Sequence, residues 1–336
     1  MSNKKTPWVL VLAAGEGKRV RALTHDKWGH RAPKQLTSTD GEATLLGATL
    51  RRAGRIAPPK QIVTIVAAQH ERWWRSELTG IPSDNIIVQP ENRGTAAGIL
   101  LPLVWIARHD RNATVVILPS DHFVESEDTL NGALNQAVST VSRSEAPVVL
   151  LGVKPEGPEE EYGWIVPCPG PENCPHRVAS FREKPDASTA ASLLNQGALL
   201  NTFIIVADCR CLLALFKERI PQLWQPFERT MDGRTVDSWQ QTDLADLWCW
   251  GGGDRRRHRG LAGRRRKPRF FHPGLERLQL HPGRSSDSAP GGRRGQPLHD
   301  RGKRARPVHR GSAVFNPRHG RRRSRGGGGR FGRQRW

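Results

Sequence analysis

The chain has 336 residues, 36% of them hydrophobic and 25% charged, which is enough for one large domain or two ordinary ones with a sizeable core. Its formal net charge of +21 is confined to one end, because residues 251–336 hold 26 of the 53 Lys and Arg but only 4 of the 32 Asp and Glu. Residues 1–250 therefore carry a net charge of −1, which excludes a basic nucleic-acid-binding fold for that part of the chain.

From residue 7 to residue 151, short apolar runs alternate with amphipathic stretches. Runs rich in Val, Ile and Leu predict buried strands, and apolar residues spaced three or four apart predict helices. The predicted strands are 8–12, 62–66, 86–88, 115–118 and 148–151, and the predicted helices are 45–57, 95–108 and 130–141. This alternation indicates an α/β fold with a mostly parallel, Rossmann-like sheet and helices on both faces. Ligands bind such sheets in the loops after the strands.

Residues 152–205 differ in composition from the preceding part, because Pro and Gly are frequent between positions 155 and 175. This composition predicts hairpins and loops that form a lid over the sheet. A short helix is predicted over 187–196, a strand over 203–206 and a further helical stretch over 209–227.

The first predicted strand runs into a glycine-containing loop, Ala13-Ala14-Gly15-Glu16-Gly17-Lys18-Arg19. Glycines let a backbone approach a phosphate chain and turn its amides toward it. The loop is neither a Walker A loop nor a Gly-x-Gly-x-x-Gly fingerprint, so by itself it fits a tight strand-to-helix turn equally well.

Further polar motifs occur along the chain, two of them directly after the predicted strands 86–88 and 115–118. They are Pro33-Lys34-Gln35, Gln89-Pro90-Glu91-Asn92-Arg93-Gly94-Thr95, Pro119-Ser120-Asp121-His122, Glu161-Tyr162-Gly163, Glu183-Lys184-Pro185 and Leu200-Asn201-Thr202-Phe203. In this order and spacing, with the glycine loop, they resemble the sugar nucleotidyltransferase family, and within it the mannose-1-phosphate guanylyltransferases. The resemblance covers residues 7–225.

The resemblance implies a reaction in which a sugar 1-phosphate attacks the α-phosphorus of a nucleoside triphosphate and releases pyrophosphate. The expected partners are GTP and mannose 1-phosphate, the expected product is GDP-mannose, and the expected cofactor is Mg²⁺. A dTDP- or UDP-glucose type of substrate pair is the alternative within the family. Catalysis of this kind consists mainly of positioning and charge neutralisation.

The resemblance also assigns roles to residues by their place in the motifs. Arg19 and Lys34 are the expected catalytic cations, and Asp121 is the expected Mg²⁺ ligand. The residues expected to bind the nucleotide are Ala13, Ala14, Gly15, Gly17, Gln89, Asn92, Gly94 and Thr95, and those expected to bind the sugar phosphate are Gly163, Glu183, Lys184 and Asn201.

Each charged residue also has a simpler interpretation. Asp121 alone would suit a helix cap, Lys34 a solvated side chain, and the Glu183 and Lys184 pair a weak surface ion pair. His122 is expected to pack beside Asp121 and not to act as a base, since the attacking phosphate is already ionised.

Residues 251–336 break the pattern, with 24 Arg, 2 Lys and 18 Gly and no sustained apolar periodicity. This composition predicts disorder, and the boundary near 250 separates it from the nucleotidyltransferase domain. The segment Trp-Ser-Asp, which supplies a second metal ligand in the resembled family, is missing. An Arg- and Gly-rich, Lys-poor sequence is typical of GC-rich DNA read out of frame, so we hypothesise a frameshift near residue 245.

Two consequences of the basic tail remain open at this point. The chain could be a catalytically impaired remnant, and the tail could bind polyanions such as nucleic acid non-specifically. No apolar run approaches the eighteen or so residues that cross a bilayer. The stretch 8–14 does not resemble a secretory signal, and five cysteines without a common zinc spacing do not suggest a disulfide scaffold. We therefore expect a cytoplasmic protein without a membrane partner.

Overall fold

The computed structural model describes residues 6–16, 24, 32–38, 41, 43–89, 91–170, 175–231 and 312–315. For residues 226, 228–231 and 312–315 it describes the backbone alone. Within these ranges nine strands form a single sheet.

One half of the sheet is parallel and is called the parallel half below. It contains β1 (Trp8–Ala13), β2 (Ile62–Ala67), β3 (Ile86–Gln89) and β4 (Thr114–Pro119), in the order β3-β2-β1-β4. Four of the predicted strands, 8–12, 62–66, 86–88 and 115–118, are thereby confirmed. Each is a nearly continuous apolar run, as expected for strands covered on both faces.

Helices cover both faces of the parallel half. On one face lie α1 (Leu45–Gly54), α2 (Glu71–Glu77) and α4 (Glu127–Ser142), which pack against alternate β1 side chains such as Val9 and Val11. On the other lie α3 (Thr95–His109), α6 (Cys209–Arg219) and α7 (Pro221–Met231), which pack against Trp8 and Leu10. The prediction of helices on both faces is confirmed, although the short α2 was not predicted.

The stretch 209–227, predicted as one helical segment, is divided between α6 and α7. Pro221 begins α7, and Ile220 between the two helices has φ −135° and ψ 57°, outside the helical region. Proline has no N–H to donate to a preceding turn but is well tolerated at the first position of a helix. The break therefore falls immediately before it.

The other half is called the mixed half. It contains β5 (Val148–Val153), β6 (Gly163–Pro167), β7 (His176–Glu183), β8 (Leu199–Asp208) and β9 (Ser312–Phe315), and continues the order as β8-β5-β9-β7-β6. Only β7 and β8 run against the other strands described, so the prediction of a mostly parallel sheet is confirmed.

The Pro- and Gly-rich region does form a hairpin, as predicted, because β6 pairs antiparallel with β7. Helix α5 (Ala187–Asn195) covers β6 and β8 through a small apolar cluster around the fully buried Trp164. Strand β8 is longer than the predicted 203–206, since it begins at Leu199 and therefore includes Asn201.

Strand β9 lies in the range that the sequence predicts to be disordered. It pairs parallel with β5 and antiparallel with β7. The four residues Ser-Ala-Val-Phe are less polar than their surroundings. They fill the place between β5 and β7, whose facing edges would otherwise have no partner strand. The rest of 251–336, with the proposed frameshift point, lies outside the described residues. No helix in the described ranges is both long enough and apolar enough to cross a membrane.

Candidate functional site

A buried glutamine fixes the loop after β1 by hydrogen bonds to its backbone. Gln35 is 3% exposed, and its Nε2 donates hydrogen bonds to the carbonyl oxygens of Ala13 (3.1 Å) and Gly15 (2.8 Å). Ala14 is half-buried and Gly15 is exposed. The predicted nucleotide loop therefore has a defined backbone conformation over Ala13, Ala14 and Gly15, whereas Gly17 and Arg19 lie outside the described residues.

Lys34 and Asp121 form the central pair of the site. Lys34 begins a 3-10 turn, Lys34–Leu36, and Asp121 follows β4 by two residues. Lys34 Nζ lies 3.6 Å from Asp121 Oδ2, and the two side chains are 24% and 28% exposed. Both charges are thus close together and open to a ligand at the carboxyl ends of β1 and β4, where parallel sheets bind their substrates.

The residues on either side of Asp121 fix its position. Ser120 donates hydrogen bonds to the Leu12 carbonyl oxygen through its backbone N (3.2 Å) and its Oγ (2.7 Å), which ties the β4 loop to β1. His122 is buried, and its Nε2 lies 3.9 Å from Asp121 Oδ1.

The pKa of His122 is lowered to about 4, chiefly by burial, with Asp121 acting to raise it and Lys34 and Arg52 acting to lower it. His122 is therefore neutral at physiological pH. This agrees with its expected packing role.

An ion pair with a buried guanidinium group stabilises the end of the loop that contains Asp121. Arg52 on α1, with a side chain 2% exposed, donates from Nη2 to Glu127 Oε1 (2.7 Å) and from Nε to Glu127 Oε2 (3.0 Å). Glu127 begins α4, directly after the loop that contains Asp121. The pair joins α1 to the end of the Asp121 loop in the bidentate geometry that favours Arg over Lys.

The loop after β3 turns into α3 at a glycine. Gly94 has φ 87°, a conformation that favours glycine, and its N–H donates to Asn92 Oδ1 at 2.8 Å. Thr95 is the first residue of α3. Gln89 at the end of β3 is buried and lies close to α3. A Cβ atom at Gly98 would be 3.9 Å from Gln89 Oε1. These four predicted nucleotide residues thus lie on one strand-to-helix connection.

The β6–β7 hairpin carries three of the four predicted sugar-phosphate residues, and the fourth, Asn201, lies on β8. Gly163 and Glu183 are register partners, and a Cβ at Gly163 would lie 2.9 Å from Glu183 Oε2 and 2.5 Å from the Phe181 ring. Only glycine fits there without displacing these side chains. Lys184, next along the chain, has φ 43° and places its Nζ 3.3 Å from Glu161 Oε2.

Tyr162 lies directly before β6 and is buried. The pKa of Tyr162 is raised to about 12, chiefly by burial and to a smaller extent by the charges of Glu159, Asp121 and Glu161. Tyr162 is a neutral hydrogen-bonding group at physiological pH.

Asn201 lies at an irregular point of β8. Its Oδ1 accepts a hydrogen bond from the Phe203 N–H (3.1 Å), and Phe203 has φ 59°, a strained conformation for a residue with a side chain. Thr202 Oγ1 donates to the Leu151 carbonyl oxygen at 2.7 Å. The β5–β8 register shifts at the same place, between Leu150 and Gly152. Such bulges reorient side chains near functional sites.

The donor set around Asp121 suits a hard cation. Magnesium needs only one or two protein carboxylates when phosphate and water oxygens complete its octahedron. The Asp121 carboxylate is partly exposed, so it fits that demand. Among the residues that the structure describes, no group of three or more His, Cys, Asp and Glu could enclose a metal without such help.

Three residues that support the site were not predicted to do so. Gln35 and Ser120 stand inside the motifs of the sequence, but no spacing rule indicates that the Gln35 side chain reaches the β1 loop across 20 positions, or that the Ser120 side chain reaches the end of β1 across 108 positions. Arg52 resembles a surface helix residue in the sequence, and its burial depends on the packing of α1 against α4.

This arrangement defines an α/β protein whose strand-end loops suit a phosphorylated ligand. Residues 8–208 match the family described as Nucleotidyl transferase. The chain belongs to the nucleotidyl transferase family.

Curated relatives are similar to part of the chain. It is 30% identical over 191 residues to the xanthan biosynthesis protein XanB of Xanthomonas campestris pv. campestris strain B100, which covers 56% of this chain and 39% of XanB. It is 27% identical over 233 residues to a mannose-1-phosphate guanylyltransferase of Sinorhizobium fredii, which covers 68% of this chain and 44% of that protein. The match thus spans about two fifths of these relatives' length.

Solved structures share the fold. A structure from Thermus thermophilus, described as a mannose-1-phosphate geranyltransferase, has a TM-score of 0.61 and 27% identity and covers 73% of this chain and 68% of that chain. A Helicobacter pylori structure described as a mannose-6-phosphate isomerase has a TM-score of 0.51 at 18% identity and covers 66% of this chain and 79% of that chain, which supports the fold alone.

Proposed function

We propose that this chain transfers a nucleotidyl group to a sugar 1-phosphate, with GTP and mannose 1-phosphate as substrates and GDP-mannose and pyrophosphate as products. A phosphate oxygen of the sugar phosphate attacks the α-phosphorus of GTP. The bond from the α-phosphorus to the oxygen that bridges it to the β-phosphorus breaks, and pyrophosphate leaves with that oxygen.

The proposal rests chiefly on the Lys34–Asp121 pair. The charged atoms of Lys34 and Asp121 lie 3.6 Å apart, beside the β1 loop. At that distance the ammonium group can contact a phosphate chain while the carboxylate binds the metal ion that accompanies it. The choice of guanosine and mannose is supported by relatives described as mannose-1-phosphate guanylyltransferases in Sinorhizobium fredii and Escherichia coli.

In this proposal each side chain has one task. Lys34 neutralises negative charge on the reacting phosphates, with Arg19 as a second cation. The backbone amides of the β1 loop, Gly15 and Gly17 included, hold the triphosphate. Neutral His122 takes no proton, because the attacking phosphate oxygen is ionised already.

Asp121 would hold Mg²⁺, which supplies Lewis-acid polarisation of phosphate oxygens when bound. The β6–β7 hairpin and β8 would hold the sugar phosphate. Lys184 would face its phosphate, and Glu183 and Asn201 would accept or donate hydrogen bonds at the sugar hydroxyls.

The test is pyrophosphate release by the full chain from matched substrate pairs. GTP with mannose 1-phosphate should release pyrophosphate, and Lys34→Met and Asp121→Asn should each reduce the rate about 100-fold or more. Asp128→Asn is the matched control, because Asp128 is 98% exposed and pairs with Arg55 on the surface.

The same assay separates the alternatives. Release from dTTP or UTP with glucose 1-phosphate, and none from GTP, would replace the guanosine and mannose assignment. A folded chain that releases no pyrophosphate from any pair would contradict the enzymatic proposal and favour an impaired remnant.

A further inference from the structure

The 3-10 turn Lys34–Leu36 carries two adjacent side chains with separate contacts. Lys34 Nζ lies 3.6 Å from Asp121 Oδ2, while Gln35 Nε2 donates to the carbonyl oxygens of Ala13 and Gly15. A single turn therefore touches both the β1 loop and the β4 loop. The backbone N of Leu36 donates to the Pro33 carbonyl oxygen at 2.9 Å and Thr37 Oγ1 to the Lys34 carbonyl oxygen at 2.7 Å, which fixes the turn itself.

The hydrogen bonds of Gln35 dictate which way the loop amides point. In a trans peptide the C=O of one residue and the N–H of the next point in opposite directions. Because Gln35 draws the Ala13 and Gly15 oxygens inward, the N–H groups of Ala14 and Glu16 are directed away from it.

Only the amide nitrogen end of the Gln35 side chain can satisfy two carbonyl oxygens. A carboxylate or a second carbonyl would repel both of them.

We propose that Gln35 is a positioning residue that aims the Ala14 and Glu16 amides at the phosphate chain of the nucleotide. The inference rests on the proposed function for the identity of the ligand. Gln35 touches no reacting atom. It acts by fixing the β1 loop in the conformation that binds an anion. Because Lys34 is on the same turn, the loop amides and the Lys34 ammonium group keep a fixed position relative to each other.

The test uses the full chain and two substitutions with opposite chemistry. Gln35→Leu removes the donors and should weaken GTP binding, measured by calorimetry, about 10-fold to 30-fold at every pH. Gln35→Glu keeps size and shape but faces two carbonyl oxygens with a carboxylate, so it should weaken binding about 100-fold at pH 8. At pH 5 the protonated carboxyl can donate one hydrogen bond, and the ratio to wild type should fall toward that of Gln35→Leu.

Gln61→Glu is the matched control, since Gln61 Nε2 also donates to a backbone oxygen, that of Thr6, which precedes β1 and so lies at the opposite end of that strand from the site. Its GTP affinity should equal that of wild type at both pH values. A pH-dependent ratio in Gln35→Glu alone assigns the loss of affinity to the carboxylate at position 35, and a thermal unfolding midpoint measured at both pH values shows whether the variant is folded under the conditions of the titration.

Amide hydrogen exchange of residues 8–16 without ligand is the second readout, and it is independent of the proposed function. Faster exchange in Gln35→Leu, combined with weaker GTP binding, supports the inference. Faster exchange in a chain whose wild type binds no GTP supports the role in loop conformation and overturns the proposed function. Unchanged exchange, or wild-type GTP affinity in Gln35→Leu, overturns the inference.

Discussion

The parallel half and the mixed half of the sheet bury their strands to different extents. All six residues of β2 are buried, and so are five of the six in β1, because helices lie on both faces. In β7 no residue is fully buried, and exposed positions alternate with partly buried ones over most of its length. Two-sided cover produces continuous apolar sequence, whereas a strand with one open face needs polar residues at alternate positions.

The difference also separates the two parts of the site. The loops that we assign to the nucleotide follow β1, β3 and β4 in the parallel half. The residues that we assign to the sugar phosphate lie on β6, β7, β8 and just after β7, in the mixed half. If this division holds, damage to one half should affect one substrate more than the other.

The largest effect is expected for Trp164→Ala in the mixed half. Trp164 is 0% exposed and its Nε1 donates to the Glu159 carbonyl oxygen at 2.7 Å. Its removal should lower the free energy of unfolding by about 4 kcal/mol, because it leaves a large cavity beneath α5. Urea denaturation with hydrogen exchange should show the loss in β6 and β8 first. Trp73→Ala, at a partly exposed ring on α2, is the control, and equal losses for both would contradict the account.

The next effect belongs to the ion pair of the parallel half. Glu127→Gln should cost about 3 kcal/mol, since it leaves the buried Arg52 guanidinium without its carboxylate. Arg52→Met should cost less, because Glu127, 31% exposed, can be solvated. Asp128→Asn breaks the exposed pair with Arg55 and should cost under about 0.5 kcal/mol in the same denaturation assay. If Arg52→Met lowers the free energy of unfolding more than Glu127→Gln does, the Arg52 guanidinium is not the buried charge of the pair.

Strand β9 offers a smaller test of the mixed half. Proline at Val314 would remove a backbone donor from a strand paired on both edges, and should cost about 2 kcal/mol. Hydrogen exchange should quicken in β5 and β7 while β1, β2 and β3 keep their rates. Unchanged β7 exchange would mean that β9 contributes nothing to the sheet.

The smallest effect compares two helix caps. Thr44 Oγ1 accepts from the Gly47 N–H at the start of α1, and Thr44→Ala should cost about 1 kcal/mol at any pH. Asp186 caps α5, and hydrogen bonds from the Thr189 backbone and from Thr189 and Ser188 side chains lower its pKa.

Because that pKa is lowered on folding, the cap stabilises α5 above the unfolded pKa of Asp186. The stability is lost as the pH falls through the folded value. Asp186→Ala should therefore destabilise at pH 7 and lose its effect in acid, as thermal unfolding at several pH values would show. A pH-independent effect would contradict the carboxylate cap.

Sequence reasoning predicted the parallel half well, because continuous apolar runs such as β2 define strands without tertiary information. In the mixed half it predicted β5, part of β8 and α5, which are also apolar runs or amphipathic stretches. It described β6 and β7 only as hairpins and loops and did not predict β9, since the alternating pattern of β7 is weak and β9 lies in an Arg- and Gly-rich segment. The motifs located Lys34 and Asp121, but their 3.6 Å separation depends on how two loops fold. Gln35 was missed because its role depends on backbone oxygens 20 and 22 positions away.

The frameshift hypothesis stays a prediction. Reading the coding DNA from codon 220 in all three frames tests it, and the hypothesis expects another frame to continue the α/β pattern and supply Trp-Ser-Asp. A tail that is coherent in its own frame alone would refute it.

The most direct measurement of the division between the halves is calorimetric titration of Lys34→Met and Lys184→Met with GTP and with mannose 1-phosphate. Lys34→Met should weaken GTP binding and leave mannose 1-phosphate nearly unchanged, and Lys184→Met should do the reverse. Each loss should be about tenfold or more. If both variants lose both ligands equally, the two halves do not hold separate substrates and the account is contradicted.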